Sequence, residues 1–261
     1  FGGNQTFNGS QITGNTLAFS GTSTANVGSS VTADAVTFSS GTNTFESGAS
    51  YTATTTTVSS GSTRFNAGAS VNLTDVSVAG SGRLTLSDST AHTLDSLTIS
   101  GGGRLEGPSD ILVTGLLDWS ATSSSDSFIL TSGTVTAAGG TALNGIASGY
   151  DMRLGSQATL LNPTGQTANW IDGRIILDGT YNNETGATFN STLASTDSIS
   201  GNGTFNNAGT FNVTNNAFTA VSSGFNNTGT VDVQSGRLVL TGTGVHTGDF
   251  DGTGALLPFG G

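Results

Sequence analysis

Residues 21 to 80 fall into three successive 20-residue blocks that can be laid directly under one another: GTSTANVGSSVTADAVTFSS, GTNTFESGASYTATTTTVSS and GSTRFNAGASVNLTDVSVAG. Gly21, Gly41 and Gly61 head the blocks. Ala25, Phe45 and Phe65 share the fifth place, Val31, Tyr51 and Val71 the eleventh, and Phe38, Val58 and Val78 the eighteenth. A repeat of this length, with β-branched and aromatic residues at fixed places and no helix-period stripe, describes a coil that stacks on copies of itself. The predicted fold class is therefore all-β, a parallel β-helix (β-solenoid) with about 20 residues per rung.

Within a rung, Phe45 to Gly48, Tyr51 and Val58 mark three short strand-like stretches separated by Gly, Ser, Asn or Asp. Alternation of the Thr-Val-Asp-Val kind turns one side inward and the other to solvent. Three corners make a triangular coil; two flattened sheets with a short bend are the alternative. The same phrase returns with the same polarity, which points to parallel stacking. The general preference for right-handed crossovers points to a right-handed coil.

Only 34% of residues are hydrophobic, 9% are charged and 40 are Gly, a balance that would suit disorder if the apolar residues were not placed so regularly. A solenoid manages with a narrow core because backbone bonding between rungs carries much of the structure. The formal net charge of -11 and six scattered arginines (Arg64, Arg83, Arg104, Arg153, Arg174 and Arg237) offer no basic stripe, so no nucleic-acid partner is expected. Cysteine is absent, which excludes disulfides and thiolate metal sites. No apolar run approaches the roughly 18 residues of a membrane span, so no membrane insertion is expected.

No signal peptide and no initiator Met are visible, and the chain reads as one 1–261 solenoid unit of a larger repetitive protein. Phe1-Gly2-Gly3 recurs as Phe259-Gly260-Gly261, as one unit of a tandem array would show. Phe7 to Phe19 is a degenerate first rung. At 81 to 100 the apolar pattern slips by one residue, with Leu84 and Leu86 flanking Thr85; Leu105 and Ile111 are expected to restore it. Arg64, Arg83 and Arg104 are placed near one corner. Residues 121–180 blur the period and read as irregular rungs or an insertion, with a turn at Pro163-Thr164-Gly165. Regularity returns after Thr180: Phe205, Phe211, Val213 and Phe218 are followed one period later by Phe225, Val231, Val233 and Leu238. Asn182 and Asn183, Asn206 and Asn207, and Asn226 and Asn227 predict a ladder of stacked amides at a corner.

The search for chemistry finds little. His92 and His246 stand alone in Thr- and Gly-rich surroundings, as surface or corner residues do, and no HExxH or GxSxG is present. Asp75, Asp95 and Glu106, or Asp232, Asp249 and Asp251, are nominal carboxylate sets for a glycoside-cleaving cleft, against a bland reading as stacked surface acids. Asp249 and Asp251 in GDFDGTG offer hard oxygen ligands for calcium, but the repeat of calcium-binding β-rolls is absent. Thr54 to Thr57 suggest a flat threonine face for ice, which Asp34, Ala35 and Val36 interrupt one rung earlier. No catalytic, cofactor-binding or metal set is assigned, and the chain is not expected to be an enzyme.

GTFNNAGTFNV at 203 to 213, NTGTVDVQSGRLVLTGTGVHTGDF at 227 to 250 and FGGNQTFNGSQITGNTLAFSG at 1 to 21 resemble the Gly/Thr/Asn-rich repeats of large bacterial surface and secreted proteins, the filamentous-haemagglutinin-type adhesins and autotransporter passenger regions. The resemblance covers most of the chain and is compositional. It implies a parallel β-helix outside the cell or on the bacterial surface, serving as a stalk or filament repeat that joins copies of itself end to end. An adhesin segment binding a glycan or cell-surface protein, near 121–180, is the second expectation, and a polysaccharide-active enzyme the third.

Overall fold

The computed structural model describes residues 1–88, 90–122, 124–145, 149–214 and 217–257. Among these the regular elements are all strands, arranged in three sheets of 13, 7 and 12 strands. Their pairings are parallel from the first rung to the last. The molecule is a β-solenoid with three faces. Face I carries short strands such as Thr42–Phe45, and face III ends each rung. Between residues 30 and 78, faces II and III are two halves of one nine-residue strand; later, face II has strands of its own, beginning at His92–Leu94.

The 20-residue register holds where the repeat is cleanest. Ala25 pairs with Phe45 and Phe45 with Phe65 on face I, Val31 with Tyr51 and Tyr51 with Val71 on face II, and Phe38 with Val58 and Val58 with Val78 on face III. Phe45 and Phe65 are buried and their rings stack at 4.8 Å. The glycines that head the blocks are required by geometry: Gly61 has φ of 72°, and a Cβ there would lie 2.2 Å from the Gly41 carbonyl oxygen.

Beyond residue 80 the period drifts. Phe65 pairs with Leu86, one place beyond the regular period, which is the slip visible in the sequence. The register is not restored afterwards. Leu105 pairs with Leu84, itself opposite Thr63, so it stands outside the Phe45 and Phe65 column. Rungs then lengthen: Arg104 lies opposite Phe128 and Phe128 opposite Arg153, so each turn of the coil here takes up more chain than in the first rungs. Residues 121–180 thus continue the coil with larger rungs. The Pro163 turn is present, closed by Gln166 N–H donating to the Pro163 carbonyl at 3.0 Å. Near the end the rungs shorten: Phe218 pairs with Arg237, and Leu238 with Thr219, so Phe218 and Leu238 do not share a column. The Phe259-Gly260-Gly261 phrase lies outside the described residues.

The core is a narrow prism of stacked side chains. In the C-terminal rungs Tyr181, Phe205 and Phe225 line face II and Phe189 and Phe211 face III. Rings stack along each column, Tyr181 on Phe205 at 4.8 Å, and meet edge to face across the prism, Phe205 to Phe211 at 5.5 Å. Edge-to-face contacts add about 0.5–1.5 kcal/mol to what burial supplies. Two asparagine ladders flank this core. Inside, Asn162 donates to Asn183, Asn183 to Asn207 and Asn207 to Asn227, each at 2.8 Å and buried. Outside, Asn206 donates to Asn182 and Asn226 to Asn206 at 2.9 Å, running the opposite way. The amides predicted as a corner ladder are therefore hydrogen-bonded from rung to rung.

Candidate functional site

Outward positions in the regular rungs are mostly Thr, Ser, Asn and Asp, while the large aromatic side chains point inward. Face I breaks this rule between residues 104 and 237. Phe128 and Phe218 face outward under the guanidinium groups of Arg104, at 4.0 Å, and Arg237, at 5.1 Å, and Tyr150 stands exposed just before the strand Asp151–Leu154. These residues border two adjoining grooves. One, of about 410 Å³, lies among Tyr150, Asp151, Arg174, Asp197 and Phe218. The other, of about 350 Å³, lies among Arg104, Asp126, Phe128 and Tyr150, so that Tyr150 belongs to both.

An ion-pair chain forms the floor between them. Arg153 Nε donates to Asp126 Oδ2 and its Nη2 to Asp151 Oδ2, both at 2.6 Å. Arg174 grips the same Asp151 with a fork, Nε to Oδ1 at 2.6 Å and Nη2 to Oδ2 at 3.0 Å. Asp151 is 1% exposed, and a bidentate Arg174 together with a single bond from Arg153 compensates that burial. The hydrogen bonds that Arg174 donates to Asp151, with the nearby carboxylates, push its already high value further up. Asp197 is affected the other way: burial, reinforced by Asp172, lifts its carboxyl above the usual range despite the Ser198 N–H and Arg174. A raised carboxylate value means a stability cost that sets in as pH rises through the ordinary value and is complete above the folded one.

The acids singled out in the sequence are dispersed by the fold. Asp75, on face III, accepts from Ser96 at 2.5 Å, and Asp95, at the corner preceding that face, accepts weakly from Thr114, while Glu106 sits on face I against Arg83 at 3.3 Å. Asp232 and Asp251 are neighbours on adjacent strands of face III, with Asp249 two places along. Gln234 donates to Asp232, and Asp251 accepts from the Gly252 N–H, both at 2.8 Å. Among the described residues no group of three acidic, His or Cys side chains is placed to hold a metal ion. Arg83 and Arg104 do pair across rungs, but Arg64 lies opposite Thr85 in a different column.

The threonine face does not form as drawn from the sequence. Thr56 turns inward and shares a 2.8 Å hydrogen bond with the buried Tyr51 hydroxyl. A polar groove of about 530 Å³ instead follows Thr13, Thr32, Thr52 and Asn72 on face II. It is concave, which does not match a flat ice plane. His92 is no surface residue: it is 5% exposed, with Nε2 at 2.9 Å from Asp88 Oδ1. Burial pushes the Asp88 carboxyl up, but hydrogen bonds from Thr90, His92 and Ser109 together hold it below its usual value. Its contribution to stability is therefore present above the ordinary carboxylate range and lost as pH falls through the lower folded value. Asp88 accepts from both His92 and Ser109, so the three form a corner plug and not a nucleophile relay. His246 lies between Phe225 and Phe250, and burial lowers its affinity for a proton.

Sequence reading missed Tyr150, Asp151, Arg174 and Asp197 as a group because their columns repeat at a longer and less even spacing than the 20-residue blocks. The signal available was the Tyr-Asp-Met-Arg phrase at 150 to 153, which lies in the stretch where the period fails. Comparison with protein-family models, with curated proteins and with solved structures finds no match to this chain.

Proposed function

We propose that this chain is a structural repeat of an extracellular bacterial surface protein, a stalk or filament segment that joins copies of itself end to end and has no catalytic role. The observation that supports this most directly is axial continuity. A 13-stranded sheet runs the length of the coil, with aromatic stacks and amide ladders parallel to the same axis. Twelve steps of about 4.8 Å make a rod on the order of 60 Å.

Electron microscopy of the purified chain across a concentration series tests the end-to-end joining. Filaments that lengthen with concentration and repeat axially near the rod length are the expected result. Isolated short rods at every concentration, together with a parent gene holding a single copy of the unit, would sink the reading.

A further inference from the structure

We propose that the face I groove centred on Tyr150 is a binding site for a neutral oligosaccharide, held by Tyr150, Phe218, Arg174 and Asp197. The site goes beyond the stalk reading and does not depend on it, since a rod can carry a side-binding groove whether or not its ends join.

Four observations lead to this ligand class. The first is the outward aromatic residues. Apart from Phe1 at the chain start, Tyr150 is the only exposed aromatic side chain among the described residues, and it stands between the outward Phe128 and Phe218. A pyranose presents a C–H face that packs on an aromatic ring, while its hydroxyl edge needs polar partners; rings that are apolar in body and wet at the rim suit that mixture. The second is the hydrogen-bonding capacity left over. Arg174 uses Nε and Nη2 on Asp151, which leaves its Nη1 donors for a ligand in the groove it lines, and Asp197 supplies carboxylate acceptor capacity beside it. A donor fork next to an acceptor matches two adjacent hydroxyls, each of which both donates and accepts.

The third is charge. Around the two grooves Asp126, Asp151 and Asp197 are balanced by Arg104, Arg153 and Arg174, so the lining offers no surplus of cations to a uronic or sulfated sugar, which would also meet the field of a chain of net charge -11. The fourth is shape. The two grooves share Tyr150 and together cross the five strands that begin at Arg104, Ser127, Asp151, Arg174 and Asp197 and the following one at Phe218. Five steps of about 4.8 Å give roughly 24 Å along the axis. That length exceeds a single sugar and fits an extended oligosaccharide lying parallel to the rod. The threonine groove on face II is comparable in size but is lined with no aromatic ring.

Isothermal titration calorimetry of the full chain with neutral hexasaccharides of glucose, mannose, galactose and xylose, and with hexagalacturonate as the acidic probe, tests the assignment. At least one neutral probe is expected to saturate, with a dissociation constant on the order of 0.1–10 mM, as suits a single exposed site. Tyr150→Ala and Asp197→Ala should each weaken it about tenfold or more, Tyr150→Phe should keep most of it, and Ala220→Arg, which fills the groove from the neighbouring strand, should abolish it. Thr52→Ala on face II should leave it unchanged. Should Asp197→Ala fail to fold, the exposed Tyr150 variants and Ala220→Arg still decide. No saturation by any neutral probe, tighter binding of hexagalacturonate, or binding indifferent to Tyr150→Ala and Ala220→Arg would each overturn the site.

Discussion

The rungs at 30 to 78 and those at 180 to 233 enclose the same kind of core and close the corner between faces II and III by different means. In the first region the corner is a bend inside one strand. Ser30–Phe38 pairs with Ser50–Val58, and that with Ser70–Val78, at every position except the outward Asp34, Thr54 and Thr74. The inward residues at the bend are Ala33, Ala53 and Leu73, all apolar. In the second region the corner is a turn that interrupts the strand, and the inward residues are Asn183, Asn207 and Asn227. Each donates across the turn to the first carbonyl of face III in the next rung: Asn183 to Thr210, Asn207 to Thr230 and Asn227 to Asp249, at 3.0 to 3.1 Å. A bent strand keeps a continuous backbone ladder around the corner. In the second region a turn breaks the ladder, and a buried amide supplies a tie. The intervening rungs also turn here but carry the apolar Leu94, Val113 and Ala137 at the same inward place, so the amide column is an added tie of the C-terminal rungs and not a demand of the turn.

If the cores are equivalent, Phe45→Ala and Phe205→Ala should each cost about 4 kcal/mol, within error of one another, as buried Phe truncations do. Because rungs in a solenoid open locally, amide hydrogen exchange resolved by rung is the measurement, and a twofold disparity between the two sites would break the equivalence. If the corners differ as described, Asn207→Leu should cost about 3 kcal/mol by stripping the donor from Asn227 Oδ1 and the acceptor from Asn183 Nδ2. Leu is native at the corresponding Leu73, so an equal tolerance at both positions would erase the distinction. The reverse exchange sharpens it. Ala53→Asn should cost about 2 kcal/mol, because a buried amide there has only Ala33 and Leu73 beside it. A denaturation midpoint unchanged by this substitution would mean that the bent corner admits an amide after all.

The sequence made the solenoid legible because the three blocks at 21 to 80 repeat without insertion, so a fixed 20-residue ruler lands on Phe45 and Phe65, on Val31 and Tyr51, and on Phe38 and Val58. The same ruler misplaced Leu105 and Phe218, since corner loops absorb or release residues without altering the strands they join. The Asn pairs were legible as a ladder, but which of each pair faces inward was not, because both are Asn and only the strand alternation separates Asn207 from Asn206. The face I groove stayed hidden for a related reason. Asp126 and Arg153 are 27 residues apart and Asp151 and Arg174 are 23, and no single period brings both pairs together. The burial of His92 is not legible in its Thr-rich surroundings, because nothing in the sequence marks Asp88 and Ser109 as its companions at the corner.

The inner ladder also has an unfinished end. Asn162 donates to Asn183 and to the Thr188 carbonyl, but its own Oδ1 is buried with no partner. The pairing of Thr136 with Leu161 places Ala137 directly beneath it, in the rung where the amide column gives way to apolar residues. A methyl group cannot donate, so one acceptor is left desolvated where the amide column meets the apolar residues of the preceding rungs. Ala137→Ser puts a hydroxyl on the buried side of that strand, where it can donate to Asn162 Oδ1 while adding a single oxygen atom to the packing. The gain from completing the bond, about 1 kcal/mol, is offset in part by burying the hydroxyl, so a net stabilisation of about 0.5 kcal/mol is expected. Ala137→Val adds bulk without a donor and should destabilise by about 1 kcal/mol through overpacking. Urea midpoints for the two variants separate a polar effect from a steric one. A serine variant no more stable than the parent chain would show that the Asn162 oxygen is satisfied by solvent, and that the ladder needs no donor where it begins.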